Sequence, residues 1–493
     1  MTAWCSACDV RRALRMPART PRLWSNDANA SWQRVGRLVD AHGIAQTVMT
    51  QLTGGVFLTG FALALHAGAF TIGLLAALPL ATKVVQVFLS WWIERTGHWH
   101  TIALSSAFVS RAALLVVPIL ALIPAASSLS LTLLVVVLLV SGLAATVFEL
   151  SFLTWMAELI PEPLRGVFWG NRGRNAGAVG IVASLLAALL LDGDTVTEIS
   201  HPRFAVVFGA GALVGFGGVF FLRSLPSPRR SRSRDAKQDL ASTLRAPLDD
   251  ANYRVFLMFS ALWSFASGAM APFYMVYMLR LLNLSFLAIT ALTAITNILM
   301  AVTQTHWGRL GDHFGTKPVL RIGAYLIALT PLVWLTTAPG RAWPVVLVQV
   351  LSGVGWSAFH VSQSNLSLRL APEARRPSYL GAFGALSGIA EGVAPMAVGA
   401  VLALGRNGDA PSISAFRILM GLQLTMFAAL TMMPRWIREP DGTAVGHLIR
   451  VMARFRAMDA SRPVALIFEY GYTHLARVAD MIAREFPRDA EPI

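Results

Sequence analysis

Apolar residues fall along this chain in runs of about 20, the length that crosses a hydrocarbon core of about 30 Å. Short polar segments between them collect most of the charge. The runs predict twelve helical spans, at approximately 46–66, 71–92, 101–123, 130–157, 174–192 and 204–222, then at 254–279, 285–306, 318–338, 343–368, 378–404 and 414–434. The expected fold is therefore an all-α integral membrane protein. Its organisation reads as an N-terminal tail over 1–45, a six-helix bundle over 46–222, a linker over 223–253, a second six-helix bundle over 254–434 and a C-terminal tail over 435–493.

Composition supports lipid as the solvent: 55% of the 493 residues are hydrophobic and 14% are charged, with a mean hydropathy of +0.58, against about 25% charge in ordinary soluble domains. The net charge of +15 raises nucleic acid as a partner, but the positions of the basic residues exclude the need for one. With both termini in the cytoplasm, most Lys and Arg residues fall in the tails and in the loops on the same side. The opposite loops keep only a few, among them Arg203, Arg280, Arg341 and Arg406. That asymmetry is topogenic, and it predicts a multi-pass protein of the cytoplasmic (inner) membrane. The two cysteines, Cys5 and Cys8, form a lone C-x-x-C without a second pair to complete a metal site. No metal or cofactor is expected. The Arg-rich N-terminal stretch lacks the apolar core of a signal peptide and is expected to stay in the cytoplasm.

The two sets of six spans repeat one another. The segment from Ser141 to Gly170 falls without a gap on that from Ser352 to Gly381, matching Gly142 with Gly353, Phe148 with Phe359, Pro161 with Pro372, Glu162 with Glu373 and Arg165 with Arg376. A second, weaker echo places Ser90, Glu94 and Gly97 on Gly308, Asp312 and Gly315. A parallel duplication of six-helix modules is a transporter architecture. With its G-x-x-x-D-x-x-G loop at Gly308, Asp312 and Gly315, followed by Lys317, the chain resembles the major facilitator superfamily (MFS) over about residues 44–434. The resemblance implies two pseudo-symmetric bundles and a pair of gating loops, carried here by Glu94, Arg95 and Gly97 and by Gly308, Asp312, Gly315 and Lys317. The first loop departs from the pattern at Ser90 and Glu94. In this reading the charged loops latch one conformation as the halves rock.

Ionised groups near the bilayer centre cost roughly 3 kcal/mol on insertion scales, so those that persist face protein or a wet cavity. Lys83, Arg111, Glu149 and Glu391 are such groups, with His360 beside them. In the register of the repeat Glu149 falls on His360, in spans 4 and 10, which line the central cavity of the family resembled. Glu149 and His360 are thus expected to carry a coupling proton or bind substrate. Helix-to-helix pairing is expected for Arg111, while Lys83 reads either as cavity lining or as snorkelling to the interface. Glu391, in a stripe of Gly384, Gly388 and Gly392, reads as pairing with a basic neighbour. Gln46, Gln51, Trp263, Tyr274, Tyr277, Gln363 and Asn365 complete the candidate cavity, a mixed aromatic and amide lining that suits an organic solute.

After span 12 the tail carries helical apolar spacing, at Leu448, Val451, Met452 and Phe455 and again from Phe468 to Ile482. It predicts two cytoplasmic amphipathic helices. No P-loop, H-E-x-x-H or G-x-S-x-G motif occurs, so neither a self-powered pump nor an enzyme is expected. The leading function is secondary active transport of a small organic solute by alternating access, driven by protons, in a monomer. The competing readings are a non-transporting sensor or scaffold on the same fold and, further off, a membrane-embedded enzyme.

Overall fold

A computed structural model describes residues 26–85, 99–122, 127–160, 165–192, 201–226, 240–372, 375–404 and 413–439. Their elements are helical apart from one isolated bridge between Ala338 and Arg341. Span 1 consists of α1 (Asn26–Leu52) and α2 (Gly55–Ala64); span 2 is α3 (Ala69–Ala81) with a 3-10 turn over Thr82–Val85. Span 3 is α4 (Trp99–Leu114) and α5 (Val116–Leu122), and spans 4 to 6 are α6 (Ser127–Leu159), α7 (Arg165–Leu191) and α8 (His201–Arg223). A linker helix, α9 (Leu240–Asp249), leads into α10 (Ala251–Val276), which ends in a π-turn over Tyr277–Leu281 as span 7. Then come α11 (Phe286–Phe314) as span 8, α12 (Thr316–Ala328) and α13 (Thr330–Trp334) as span 9, α14 (Pro344–Leu370) as span 10, α15 (Arg376–Leu404) as span 11 and α16 (Ile413–Leu430) as span 12.

Among the described residues ten helical segments are long and apolar enough to cross a membrane. The two expected spans outside that set are interrupted. Span 2 leaves α-helical geometry at Thr82, and the residues after Val85 lie outside the described set. Span 9 breaks at Leu329, where Pro331 cannot donate a backbone hydrogen bond and the Thr330 hydroxyl turns back to the Ile327 carbonyl at 2.8 Å. Its counterpart, span 3, breaks at Leu115, three residues before Pro118.

Span 1 departs most from expectation. Its membrane-competent segment starts at Arg34 rather than near residue 46, because the polar positions ahead of the apolar run are housed inside the bundle: His42 is fully buried, and Asn175 donates to Asp40 at 3.4 Å. It is also discontinuous. Gly55 takes φ +54°, a conformation that a β-carbon disfavours. The Thr50 and Thr53 hydroxyls bond back to the carbonyls of Gln46 and Met49 at 2.6 and 2.7 Å, satisfying acceptors at the end of α1. Part of the expected flexible linker is also ordered. There, the Tyr379 hydroxyl of span 11 donates to the Ala246 carbonyl of α9 at 3.3 Å, and the Asp250 carboxylate caps α10 through the backbone N–H groups of Asn252 and Tyr253.

The packing repeats across the two halves. Span 1 packs on spans 5 and 6 as span 7 packs on 11 and 12; span 3 packs on 4 as 9 packs on 10; span 2 packs on 4 as 8 packs on 10. The halves meet through span 2 on span 11 and through span 5 on span 8, two pairings that exchange under the same symmetry. The first is very close. A β-carbon added at Gly73 would lie 2.3 Å from the Pro395 carbonyl oxygen, and one at Gly399 would lie 2.8 Å from that of Ala69.

Core placement differs between the two ends of the molecule. At the end away from the linker, one apolar core runs through both halves. Phe57, Phe61, Phe204 and Phe208 join Phe273, Tyr277, Phe286 and Ile289 there, with Phe286 ring centroids 6.2 Å from Phe57 and 6.1 Å from Phe204. At the linker end the cores are separate. Val39, Phe148, Phe152 and Trp155 belong to the first half, and Tyr253, Phe256, Trp263 and Phe359 to the second.

Candidate functional site

The break in span 1 lies between two cavities on the seam of the halves. One, of about 280 Å³, is walled by spans 1, 5, 7 and 8 and carries Thr50, Gln51, Ser184, Thr290, Thr293 and Asn297, with no ionisable group among its described lining residues. The other, of about 340 Å³, is walled by spans 1, 2, 7 and 11; it is mostly apolar and includes Thr59 and Glu391. Gly55 and Met275 line both. The unwound backbone of span 1 thus forms part of each wall, the arrangement in which irregular backbone is tolerated at membrane depth.

The expected cavity residues divide. Gln51 lines the polar cavity, and its side-chain oxygen accepts a close hydrogen bond from the Ser184 hydroxyl. Tyr274 and Tyr277 do not line either cavity. The Tyr274 hydroxyl donates to the Gln423 side-chain oxygen at 2.5 Å and its ring stacks on Trp334 at 4.6 Å; the Tyr277 hydroxyl lies 3.0 Å from Thr337 Oγ1 in the core. Their face of span 7 is committed to spans 9 and 12. Gln363 is buried and Asn365 half-buried on α14, and neither lines a cavity.

Glu149 and His360 are exposed and lie outside both cavity walls. Glu149 sits roughly 120–180° around α6 from Val136, Val140 and Leu143 but only about 40° from Leu153, all of them exposed apolar positions. The His360 ring stacks on Trp356 at 5.0 Å. Spans 4 and 10 are not among the well-packed helix pairs, and both residues belong to the part of the molecule where the halves keep separate cores.

Arg111 is 1% exposed. It donates to the Ala107 carbonyl at 3.0 Å and closely to the Gln46 side-chain oxygen of span 1, and its guanidinium lies 4.6 Å from the Phe148 ring centroid of span 4. It ties spans 1, 3 and 4 together, and among the described residues no carboxylate lies within ion-pair distance of it. Lys83 is half-buried against Gly388 of span 11 and faces Glu391 through space.

At the loop between spans 8 and 9, Gly315 takes φ +91°, reversing the chain between α11 and α12. The carboxylate at the N-terminus of α12 is that of Glu439, which follows span 12. It accepts from the backbone N–H groups of Thr316 and Lys317 at 2.9 and 2.8 Å, and Arg369 at the end of span 10 lies 3.4 Å away. Lys317 Nζ donates to the Arg435 and Ile437 carbonyls at 3.0 and 2.6 Å. Gly308 faces Val361 of span 10. These contacts all lie within the second half, so among the described residues this loop braces its own bundle. Asp312 belongs to the last turn of α11, and its side chain lies outside the described set, as do Ser90, Glu94, Arg95 and Gly97 and the tail helices expected after residue 440.

The residues that the sequence reading missed are Ser184, Thr290, Asn297, Met275 and Glu439. The Thr53-Gly54-Gly55 stretch inside an apolar run was the legible signal for the break. A carboxylate just past the last span, among the basic residues of "PRWIRE", was the signal for Glu439.

A sequence profile described as Major Facilitator Superfamily matches residues 43–395 and, in a second match, 257–468. No curated protein matches the sequence. Solved structures with the same fold include the nucleoside transporter NupG, 15% identical with a TM-score of 0.62 over 81% of this chain and 98% of that one. The inward-open xylose transporter XylE from E. coli is 15% identical, with a TM-score of 0.58 over 85% and 98%. A bacterial homologue of the iron transporter ferroportin, inward-facing, is 15% identical with a TM-score of 0.60 over 83% and 99%.

Proposed function

Because this chain belongs to the Major Facilitator Superfamily, we propose that it is a secondary active transporter that moves a small organic solute across the cytoplasmic membrane by alternating access, coupled to protons. The observation that carries this reading is the unequal closure of the two ends: one apolar core seals both halves together away from the linker, and the halves keep separate cores at the linker end. Two cavities lie on the seam between them. An occupant there is reached from the linker side, and release to the other side requires the Phe57, Phe204 and Phe286 cluster to part. The Lys and Arg bias makes the linker side cytoplasmic.

The polar cavity, with its amide and hydroxyl groups, suits hydrogen-bonding solutes, and nucleosides and xylose, carried by the structural relatives, are the first to try. Glu149 and His360, at equivalent positions of the repeat, are the pair assigned to carry the coupling proton. A single chain contains both cavities, so the working unit is taken as a monomer. In proteoliposomes enclosing a pH-sensitive dye, solute-driven proton movement should fall at least tenfold in Glu149→Gln or His360→Gln while the protein still inserts. Proton movement equal to that of the parent protein in both variants would remove these residues from the coupling path. Solute binding without flux would favour the sensor reading.

A further inference from the structure

The apolar cavity contains one ionisable group among its described lining residues, and the transport reading leaves that group without a role. Glu391 reaches the wall because span 7 has no side chain at Gly268: a β-carbon there would lie 2.6 Å from the Glu391 carbonyl oxygen and 3.1 Å from its Cγ. The contact seats Glu391 in the cavity wall that Ala271, Pro272 and Met275 of span 7 also form. Among the described residues it accepts no hydrogen bond and has no cation within ion-pair distance. Lys83, the one charged group facing it from span 2, is set toward the linker end against Gly388 and is not part of the cavity wall. Span 7 brings no titratable side chain to the cavity, and the remaining wall is largely hydrocarbon, including Leu58, Ile72, Leu75 and Leu80.

An ionised carboxylate in such surroundings is stabilised by a cation in direct contact, and an apolar wall of this size receives a hydrocarbon body. We propose that this cavity is a binding subsite for the protonated amine of an amphipathic organic solute, with Glu391 as its counter-ion. The proposal rests on the transport reading for its purpose and names the solute class. The occupant touches spans 1 and 2 of one half and spans 7 and 11 of the other, so it bridges the two bodies whose relative motion moves it. Lys83 competes with the ligand ammonium for the same carboxylate.

Binding to the purified full-length protein tests this without any flux measurement, so its outcome is separate from that of the transport reading. Benzylamine, protonated at neutral pH, should raise the unfolding temperature saturably, while uncharged benzyl alcohol and anionic benzoate should not. Glu391→Gln should weaken benzylamine binding at least tenfold, and Glu391→Asp, which keeps the charge, should retain part of it. Lys83→Gln should tighten binding about threefold or more, a gain that a purely structural Lys83–Glu391 pair does not produce. If Glu391→Gln fails to fold, the Asp and Lys83 variants decide the question. Benzoate binding as well as benzylamine, Glu391→Gln binding benzylamine like the parent, or Lys83→Gln weakening it would each overturn the proposal.

Discussion

Replacing Gly73 with leucine lowers solute flux at least tenfold while the protein still inserts and folds. Gly73 is where span 2 of the first half meets span 11 of the second, and even a single methyl group there would sit 2.3 Å from a backbone oxygen of Pro395. Backbone cannot move aside as a flexible side chain does, so the two helices must separate. Overpacking of this kind costs about 1–3 kcal/mol or more, and a bias of that size shifts a two-state equilibrium by roughly 5- to 150-fold. The penalty falls on the state sealed at this end, the one in which the two backbones come this close at Gly73. The protein is therefore held with this end open, and cycling falls at least tenfold. Leu58, in the wall of the apolar cavity, reports the same event. In a Cys5→Ser, Cys8→Ser background, a cysteine at position 58 should react with an impermeant maleimide added on the side opposite the linker only when Gly73→Leu is present. Normal flux in Gly73→Leu, or no gain in reactivity, would show that this seam does not part during transport.

Glu439→Ala should lower stability by about 2–4 kcal/mol. The Glu439 side chain is 2% exposed, accepts two backbone N–H groups from the first turn of α12 and pairs with Arg369. Hydrogen bonds to a charged acceptor contribute about 1.5–3 kcal/mol each, and a carboxylate at a helix N-terminus gains further from the aligned peptide dipoles. Removing it leaves two N–H groups unpaired and Lys317 held only by carbonyls. Glu439→Gln, which keeps one acceptor oxygen without the charge, should lose less. Thermal unfolding in nanodiscs measures both. Because the partners come from spans 9, 10 and 12, all in the second half, the variant should lower stability more than it alters the open-to-closed balance. An unchanged unfolding temperature would mean that water replaces the carboxylate without cost.

Most of the helical architecture was legible in the sequence because an apolar run of about 20 residues has few alternatives in lipid. Span 1 was read too short because Arg34, Asp40 and His42 break its hydropathy, and only packing shows that His42 and Asp40 are accommodated within the bundle. The stripe of glycines in span 11 was legible as a contact face. Gly388 and Gly392 do pack on span 2, and the face continues to Gly399, whereas Gly384 meets nothing within 4 Å. The individual wall residues were much less legible. Tyr274 and Tyr277 have the residue types of a cavity lining, but a helix must turn each side chain toward some neighbour, and theirs faces Trp334, Thr337 and Gln423. Glu391 read as the partner of a basic neighbour, whereas among the described residues no cation lies within ion-pair distance of it; the missing side chain at Gly268, against which it packs at a cavity wall, has no signature in its own segment. Glu439 was hidden for another reason: it follows the last span, 122 residues beyond Lys317, where no local pattern indicates a partner.

Pulsed electron resonance on two label pairs tests the central claim, that two repeated halves rock about the cavities on their seam. One pair, at Leu122 and Trp343, reports the sealed end, and the other, at Ser224 and Trp436, reports the linker end; all four positions are exposed. In nanodiscs, across a pH series and with a transported solute added, the first distance should lengthen in the same subpopulation in which the second shortens. Two distances that stay fixed under every condition, or that lengthen together, would contradict the account.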